Sequence, residues 1–335
     1  MKAVAYTKSL PISDAAALQD VGLPEPTPAP RDLLVDVRAV SVNPVDTKVR
    51  QRIDPGGEPK VLGYDASGVV VATGDEATLF KPGDEVWYAG AINRPGTNSE
   101  RHVVDERIVG RKPASLSYAE AAALPLTTIT AWELLFDRLG VAEGSGNGES
   151  LLIIGGAGGV GSILTQLARR STGLTVVATA SRDDTRTWCE AMGAHHVVNH
   201  REPLEPQLAS LGVTPRYVAG LTATDKHFPA IARLIAPQGK LGLIDDPDPS
   251  AIDITQLKQK AVSLHWEFMF ARPLFETDDL IEQHRLLCRA AELVDAGALR
   301  TTANHDGGKI TAESLRAAHA RQESGAAIGK TVLEW

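Results

Sequence analysis

The sequence predicts an α/β protein in which a doubly wound parallel sheet is combined with a β-rich part. From residue 151 onward, short apolar runs alternate with helical segments, and the first of these runs leads directly into a glycine-rich turn. Residues 1–120 instead carry β-branched and alternating residues between Pro- and Gly-rich turns, which is typical of antiparallel strands. Strands that alternate with helices across short connections favour a parallel sheet covered by helices on both faces.

Each predicted element follows from a local pattern. In the second part, apolar runs predict strands at 151–154, 175–179, 196–199, 217–220, 240–244 and 263–268. Helical spacing predicts helices at 184–192, 228–235 and 279–296. In the first part, strands are predicted at 33–42 and 68–72 and after the turn at 81–84, and strands at 299–302 and 331–333 return to this part.

Composition and charge exclude several classes of protein. A chain of 335 residues is long enough for two hydrophobic cores, and 43% hydrophobic with 23% charged residues is ordinary for a globular protein. The net charge of −8 argues against nucleic acid or an anionic membrane as a partner. Residues 1–6 read as a strand and not as a secretory signal, and no apolar run is long enough to span a membrane. Cys189 and Cys288 lie far apart and are expected to be reduced thiols of a cytoplasmic protein.

The glycine-rich turn has the spacing G-x-G-x-x-G. Gly156 permits the tight turn, Gly158 lets the backbone approach a pyrophosphate, and Gly161 lets helix and strand pack closely. The N-terminus of the following helix offers unpaired N–H groups and a positive dipole end to phosphates. The sequence therefore predicts a dinucleotide site at Gly156, Ala157, Gly158, Gly159, Val160 and Gly161.

The end of the next strand favours NADPH over NADH. Ser181 and Arg182 stand where an NAD-selective protein usually carries an acidic residue, and a hydroxyl and a guanidinium suit a 2′-phosphate. Asp183 and Asp184 follow directly and are interpreted as caps of the next helix. The alternative for Arg182 is a solvated surface residue.

Four further segments resemble the medium-chain dehydrogenase/reductase superfamily: 43–46, 63–68, 124–132 and 329–330. Together with the order of the domains they are most similar to its zinc-independent quinone oxidoreductase-like branch, whose members are often named zinc-type alcohol dehydrogenase-like. The resemblance implies a GroES-like catalytic domain at 1–124, a Rossmann NADP-binding domain at 125–268 and a return to the catalytic domain at 269–335.

The resemblance also locates the positions that bind catalytic zinc in related alcohol dehydrogenases. Here these positions hold Asn43, Tyr64 and Leu126, none of which is a usual zinc ligand. A four-cysteine structural zinc lobe is also absent, because no Cys precedes Cys189. We therefore expect no zinc; a zinc-dependent alcohol dehydrogenase with unrecognised ligands is the alternative.

Candidate catalytic residues are Tyr64, Asn43, Asp46 and Lys48. Tyr64 is a potential proton donor or else a packed aromatic residue, and Asn43 binds a substrate oxygen or fixes its own loop. Asp46 contacts ribose or water, or caps the next helix together with Asn43. Lys48 supplies a proton or positive charge, or lies on the surface.

Cofactor and substrate contacts are predicted as well. Besides the glycine turn, the predicted cofactor-binding residues are Ser181, Arg182, His200, Thr127, Thr130, Leu221, Ile244 and Lys330. His200 is placed near the adenosine or has a structural role, and the threonines also serve as helix caps. Phe268 and Phe270 are predicted to form an apolar wall of the substrate pocket, or to belong to the core.

Without a metal, hydride transfer is easiest when the acceptor itself delocalises the developing negative charge. The sequence therefore predicts an NADPH-dependent oxidoreductase that reduces quinones or α,β-unsaturated carbonyls. The alternative from another class is an NADPH-binding sensor or structural protein with little turnover. The expected partners are a small-molecule substrate and a second copy of the chain, joined through the segment 261–268, with no nucleic acid and no membrane.

Overall fold

The computed structural model describes all residues from Met1 to Trp335 and divides them into two compact units. The first unit comprises 1–129 and 270–335, and the second comprises 130–269. The first is rich in β-strands and the second is built on a parallel sheet, so the predicted α/β class with these two components is confirmed. None of the helices combines the length and hydropathy that a membrane crossing requires.

The first unit begins with eight strands and three helices. The strands are β1 (Lys2–Tyr6), β2 (Gln19–Gly22), β3 (Asp32–Ser41), β4 (Lys60–Val61), β5 (Ala66–Thr73), β6 (Glu85–Tyr88), β7 (Arg101–Asp105) and β8 (Val109–Arg111). The helices are α1 (Pro44–Arg52), α2 (Tyr118–Ala122) and α3 (Pro125–Trp132), and a short 3₁₀ turn covers Glu106–Ile108. The last of these helices continues across the boundary between the units.

The second unit alternates strands and helices. Its strands are β9 (Ser150–Ile154), β10 (Thr175–Thr179), β11 (His196–Val198), β12 (Tyr217–Gly220), β13 (Lys240–Leu243) and β14 (Ser263–Trp266). Its helices are α4 (Gly159–Ser171), α5 (Asp183–Ala191), α6 (Leu204–Ser210) and α7 (Thr224–Leu234). The chain then returns to the first unit through α8 (Ala271–Phe275), α9 (Glu282–Asp295), β15 (Ala303–Lys309), α10 (Ala312–Glu323) and β16 (Lys330–Glu334).

The parallel sheet of the second unit has the strand order β11-β10-β9-β12-β13-β14. Strand β9 lies at its centre and is buried along its whole length, as expected for a strand covered on both faces. Because the chain leaves β9 toward β10 and later reaches β12 on the other side, the connections diverge at the carboxyl end of β9. A crevice at such a point is the usual ligand site of an open α/β sheet.

The first unit contains a three-stranded sheet, β2-β1-β4, and a seven-stranded one. The larger sheet has the order β15-β16-β3-β5-β6-β8, and β7 also pairs with β3. The return strand predicted at 331–333 is part of β16, which pairs with β3.

The prediction of a strand at 299–302 is wrong. The strand in this region is β15, which begins at Ala303 because its ladder with β16 starts at the pair Ala303–Lys330. Strand β15 is a polar edge strand whose sequence lacks apolar alternation, so periodicity gave no signal for it.

A buried cluster of charged residues includes Glu267, directly after β14 of the parallel sheet. Glu267, which follows β14, accepts a hydrogen bond from Arg138 Nε at 2.9 Å, and Arg138 also lies 3.8 Å from Glu133. Both carboxyl groups are fully buried. Burial and the neighbouring Glu133 raise the pKa of Glu267 well above its ordinary value, so that the two carboxyl groups together retain a proton at neutral pH.

This proton makes stability depend on pH. The folded chain keeps this proton to a higher pH than the unfolded chain does, so stability falls as pH rises from the ordinary carboxyl range into the alkaline range. We expect Glu267→Gln, which stays neutral, to flatten this dependence when urea unfolding is measured at pH 6 and pH 9. Glu292→Gln, at an exposed glutamate, is the matched control. If the stability of Glu267→Gln depends on pH as steeply as that of the natural chain, the carboxyl pair does not retain this proton.

Candidate cofactor and active sites

The glycine turn between β9 and α4 is held by steric constraints. A Cβ at Gly156 would lie 2.7 Å from Ala178 Cβ, and one at Gly161 would lie 2.3 Å from the carbonyl oxygen of Gly155. Gly155 itself has a φ of +92°, which disfavours other residues. Gly156 and Gly161 are therefore required by packing within the turn.

Gly158 differs from these glycines. A Cβ at Gly158 would meet only the Gly155 oxygen, at an ordinary 3.6 Å, so the protein leaves space there. Helix α4 starts at the next residue, and no side chain caps its N-terminus. The first N–H groups of α4 thus lack capping side chains beside an open backbone position, which suits a phosphate.

Other predicted cofactor residues follow the carboxyl ends of the parallel strands. Ser181 and Arg182 follow β10, His200 follows β11, Leu221 follows β12 and Ile244 follows β13. Since parallel strands end at one edge of the sheet, these residues share the edge on which the glycine turn lies.

Arg182 and His200 carry the polar chemistry of this edge. The Arg182 side chain is 38% exposed and pairs with Asp184 at 3.1 Å, so its guanidinium is accessible. His200 contacts His227 edge to face, with ring centroids 6.0 Å apart. Burial, and then the charges of His227 and two arginines, lower the pKa of His200.

The centre of the first unit is a buried carboxylate, Asp65. Its Oδ2 accepts hydrogen bonds from Ser41 Oγ at 2.8 Å, Asn43 Nδ2 at 2.8 Å and Lys330 Nζ at 2.9 Å. Its Oδ1 accepts one from the backbone N–H of Leu126 at 2.7 Å. One side chain thereby joins β3, the start of α1, β16 and α3.

Asn43 belongs to this network and fixes its own loop. Its amide donates to Asp65 and, at 3.3 Å, to the carbonyl of Tyr64, while its Oδ1 accepts from Lys330 Nζ. The carboxylate of Asp46 accepts from the N–H groups of Asn43 at 2.7 Å and Gly63 at 3.0 Å. Asp46 thus performs the predicted capping role at the start of α1.

The pKa of Asp46 is shifted by its buried position in this region. Complete burial raises the pKa of Asp46 to about 7, although the hydrogen bond from Asn43 opposes the shift. Its carboxyl group therefore changes charge near neutral pH.

Tyr64 is a buried aromatic residue whose hydroxyl remains a donor. The ring is 1% exposed and meets Phe270 edge to face at 5.3 Å. Burial, and secondarily the charge of Asp46, raise the pKa of Tyr64, so the phenol stays protonated throughout the physiological range. Both interpretations of Tyr64, packed ring and proton donor, are compatible with this geometry.

The remaining predicted residues are dispersed. Lys48 is partly exposed on α1. Thr127 is buried and donates to the carbonyl of Leu124 at 3.0 Å, and Thr130 is buried on the same helix. Phe270 is buried in the first unit, whereas Phe268 belongs to the second unit and is 47% exposed.

Sequence reasoning missed Asp65 and Ser41 as site residues. The ammonium group of Lys330, predicted to contact the cofactor, is bound to Asn43 and Asp65. The available signal was an acidic residue directly before an apolar strand, since a carboxylate at such a position is buried and requires partners.

Comparisons with known proteins agree with this architecture. Residues 29–132 match the alcohol dehydrogenase GroES-like domain, and residues 192–333 match the zinc-binding dehydrogenase family. A zinc-type alcohol dehydrogenase-like protein of Staphylococcus aureus (strain COL) is 41% identical over 335 residues, covering 99% of each chain. The chain belongs to the medium-chain dehydrogenase/reductase superfamily.

Solved structures of this superfamily are similar along the whole chain. A protein of Rhizobium etli CFN 42, named as a zinc-dependent alcohol dehydrogenase, is 57% identical with a TM-score of 0.96, covering 100% of this chain and 98% of that one. The quinone oxidoreductase of Coxiella burnetii is 25% identical with a TM-score of 0.81, covering 100% and 99%. A mycobacterial protein solved with NADPH is 26% identical with a TM-score of 0.83, covering 100% of both chains. This member of the superfamily is therefore an oxidoreductase.

The residues at the zinc-ligand positions do not fit the metal that the family name implies. Asn43 is engaged by Lys330 and Asp65, Tyr64 keeps its proton, and Leu126 has a hydrocarbon side chain. Zinc prefers thiolate, imidazole and carboxylate ligands, and no group of three or more His, Cys, Asp or Glu residues has the arrangement of a metal site.

The two kinds of glycine in the turn give a matched pair of variants. Gly161→Ala places a methyl group against backbone oxygens, so we expect it to lower the thermal midpoint, by an amount equivalent to about 1–3 kcal/mol. Gly158→Ala meets no close protein atom and is expected to keep the midpoint while weakening NADPH binding in calorimetry roughly tenfold. Unchanged affinity in Gly158→Ala would show that no pyrophosphate approaches this residue.

Proposed function

We propose that this protein uses NADPH to reduce quinones or α,β-unsaturated carbonyls, without zinc. The observation that carries the proposal is the donor set of the first unit. The three positions of catalytic zinc ligands hold an amide locked by hydrogen bonds, a protonated phenol and a leucine. Of these three groups only the Tyr64 phenol can donate a hydrogen bond to a bound oxygen, and none of them is a usual zinc ligand.

The lack of usual zinc ligands at these positions favours one class of hydride acceptor. Reduction of a simple carbonyl concentrates charge on one oxygen, which zinc stabilises in alcohol dehydrogenases. A quinone or enone spreads the same charge over a conjugated system, so that hydrogen bonds are sufficient. The similarity to a quinone oxidoreductase of known structure supports this class of substrate.

The cofactor assignment rests on the glycine turn and on Arg182. The open position at Gly158 and the uncapped N-terminus of α4 suit a pyrophosphate, and the accessible guanidinium of Arg182 suits a 2′-phosphate. Reduced nicotinamide, when bound, supplies the hydride. The NADPH complex of a 26% identical protein of the same fold supports this choice.

The residues of the first unit then have separate roles. Tyr64 Oη donates a hydrogen bond to the oxygen of the acceptor, and Phe270 restricts the orientation of the Tyr64 ring. Asn43, Asp65 and Lys330 hold the loop that carries Tyr64, because the Asn43 amide binds the Tyr64 carbonyl. Asp46 is a positioning residue, since it binds the backbone of Asn43 and Gly63 on either side of this network.

The direct experiment follows the loss of reduced-cofactor absorbance in protein treated with a chelator. We expect oxidation of NADPH with ortho- or para-quinones and enones, little with simple aldehydes and ketones, and no effect of added Zn²⁺. Arg182→Ala is expected to weaken NADPH binding roughly tenfold or more while leaving NADH binding nearly unchanged. Arg170→Ala, at an exposed arginine near the end of α4, is the matched control.

Two other outcomes of this experiment would each establish a different function. Activity on simple alcohols that disappears with chelation would establish a zinc-dependent alcohol dehydrogenase. Tight NADPH binding without oxidation across the panel would establish the sensor or structural protein.

We also propose that two copies of the chain associate through β14. This strand has a single neighbour, β13, and therefore presents an open edge that proteins normally cover. Trp266 is 56% exposed at the end of this edge, followed by the exposed Phe268. Apolar side chains beside an unpaired edge suit a second copy of the same strand.

Sedimentation velocity tests this association. The natural chain is expected to sediment as a dimer, and Trp266→Glu as a monomer, because a charge beside the edge opposes its burial. Phe275→Glu is the matched control, since Phe275 is 74% exposed but lies in the first unit. A natural chain that remains monomeric at micromolar concentration would exclude the dimer.

A further inference from the structure

The two cysteines lie in opposite environments. Cys189 is completely buried in the second unit, whereas Cys288 is partly exposed on α9. The sulfur of Cys288 is 3.9 Å from both ring nitrogens of His284, which stands one helical turn earlier. Cys288 therefore forms a pair with a titratable base.

The hydrogen bonds of His284 define which nitrogen is basic. His284 Nδ1 lies 2.6 Å from the carbonyl oxygen of Val109, an acceptor only, so Nδ1 carries the proton. Nε2 of the neutral ring then has a free lone pair that can accept the thiol proton. The resulting thiolate and imidazolium attract each other across 3.9 Å.

Strand β8 adds a second source of positive potential. The backbone of Arg111 favours the thiolate form of Cys288, and the Arg111 charge acts on both Cys288 and His284. The Arg111 guanidinium is 59% exposed and lies over the Phe80 ring, 5.3 Å from its centroid. Phe80 in turn meets His284 edge to face at 5.6 Å. A thiol, a base, an accessible guanidinium and an aromatic ring thus share one patch of the first unit.

Asp84 offsets part of the Arg111 charge, and the other charged groups near α9 are paired among themselves. Glu106 is buried against Arg31 and two backbone N–H groups, and Arg107 pairs with Asp105 at 2.7 Å. Asp84 lies 3.7 Å from Arg111. On α9 itself the neighbouring pairs are Arg285 with Glu282 and Arg289 with Glu292.

The titration of both thiols follows from these contacts. Burial by itself would raise the pKa of Cys288, but hydrogen bonds from His284 and from the Arg111 backbone bring it below its ordinary value. The contact with Cys288 in turn raises the pKa of His284. Burial raises the pKa of Cys189 to about 12, so that this thiol is inert.

We propose that Cys288, activated by His284, is a modification site for α,β-unsaturated carbonyl compounds. His284 Nε2 takes the thiol proton, and the thiolate forms a bond to the β-carbon of the electrophile. The C=C electron pair shifts to the bond between the α-carbon and the carbonyl carbon, and the C=O pair moves to the oxygen, which gives an enolate beside the Arg111 guanidinium. The imidazolium then returns the proton to the α-carbon, so that the thiol has added across the double bond without an oxidant or reductant.

N-ethylmaleimide is a suitable probe, and peptide mass spectrometry locates the adduct on the folded full-length chain. We expect one equivalent at Cys288 and none at Cys189, with a rate at pH 6.5 well above that of free cysteine. His284→Asn is expected to slow labelling at pH 6.5 about tenfold, because each unit of thiol pKa changes the thiolate fraction tenfold below the pKa. At pH 9.5 the difference between the two rates should be smaller than at pH 6.5.

Controls separate activation from folding. Cys288→Ser should abolish labelling, and an unreacted Cys189 in His284→Asn reports that this variant is folded. If Cys288 reacts no faster than free cysteine at pH 6.5, or if His284→Asn labels at the natural rate, the proposal is wrong. The measured quantity is adduct mass and not turnover, so this result does not depend on the proposed function.

Discussion

The carboxylate of Asp65 is the interaction on which the first unit depends. It is fully buried and receives four hydrogen bonds from segments that are distant in the sequence, including Lys330, 265 positions away. A buried ion pair is tolerated only when the remaining lone pairs are satisfied, and removing one partner of such a pair costs about 3–5 kcal/mol. The network therefore ties the late strand β16 to the loops that begin α1 and α3.

The same network explains why the metal-ligand positions have a different chemistry here. Asn43 would offer a weak ligand in a zinc site, but its amide and carbonyl groups are both occupied by Asp65, Tyr64 and Lys330. An immobile amide of this kind holds the neighbouring backbone in place. In the proposed function, stabilisation of negative charge is then left to groups that keep a proton, such as the Tyr64 phenol.

Local steric demands organise the glycine turn of the second unit. Gly156 and Gly161 are fixed because a methyl group would collide with the protein, and Gly158 leaves space outward. The order of the parallel strands sets the positions of the turn, of the start of α4 and of the residues that follow β10 to β13. This is why the parallel sheet and its glycine turn were predictable from a short segment of sequence.

Much of the fold was predictable for this reason. Strands such as 175–179 and 217–220 are apolar because both faces of a parallel sheet are covered, and the structure gives them the predicted bounds. The polar edge strand β15 escaped detection, since its partner β16 rather than its own periodicity holds it in the sheet. The role of Lys330 also escaped, because its partners Asn43 and Asp65 lie 287 and 265 positions away in the chain.

The sequence by itself determined the parallel sheet and the dinucleotide-type turn, because each is set by residues adjacent along the chain, and the family resemblance identified Asn43, Tyr64 and Leu126 at the zinc-ligand positions. Only the tertiary structure decided that Asp65 is the common partner of Ser41, Asn43 and Lys330, and that Cys288 meets Arg111 as well as His284. Hydrogen bonds and electrostatic fields depend on distance in space, and folding alone brings those groups together.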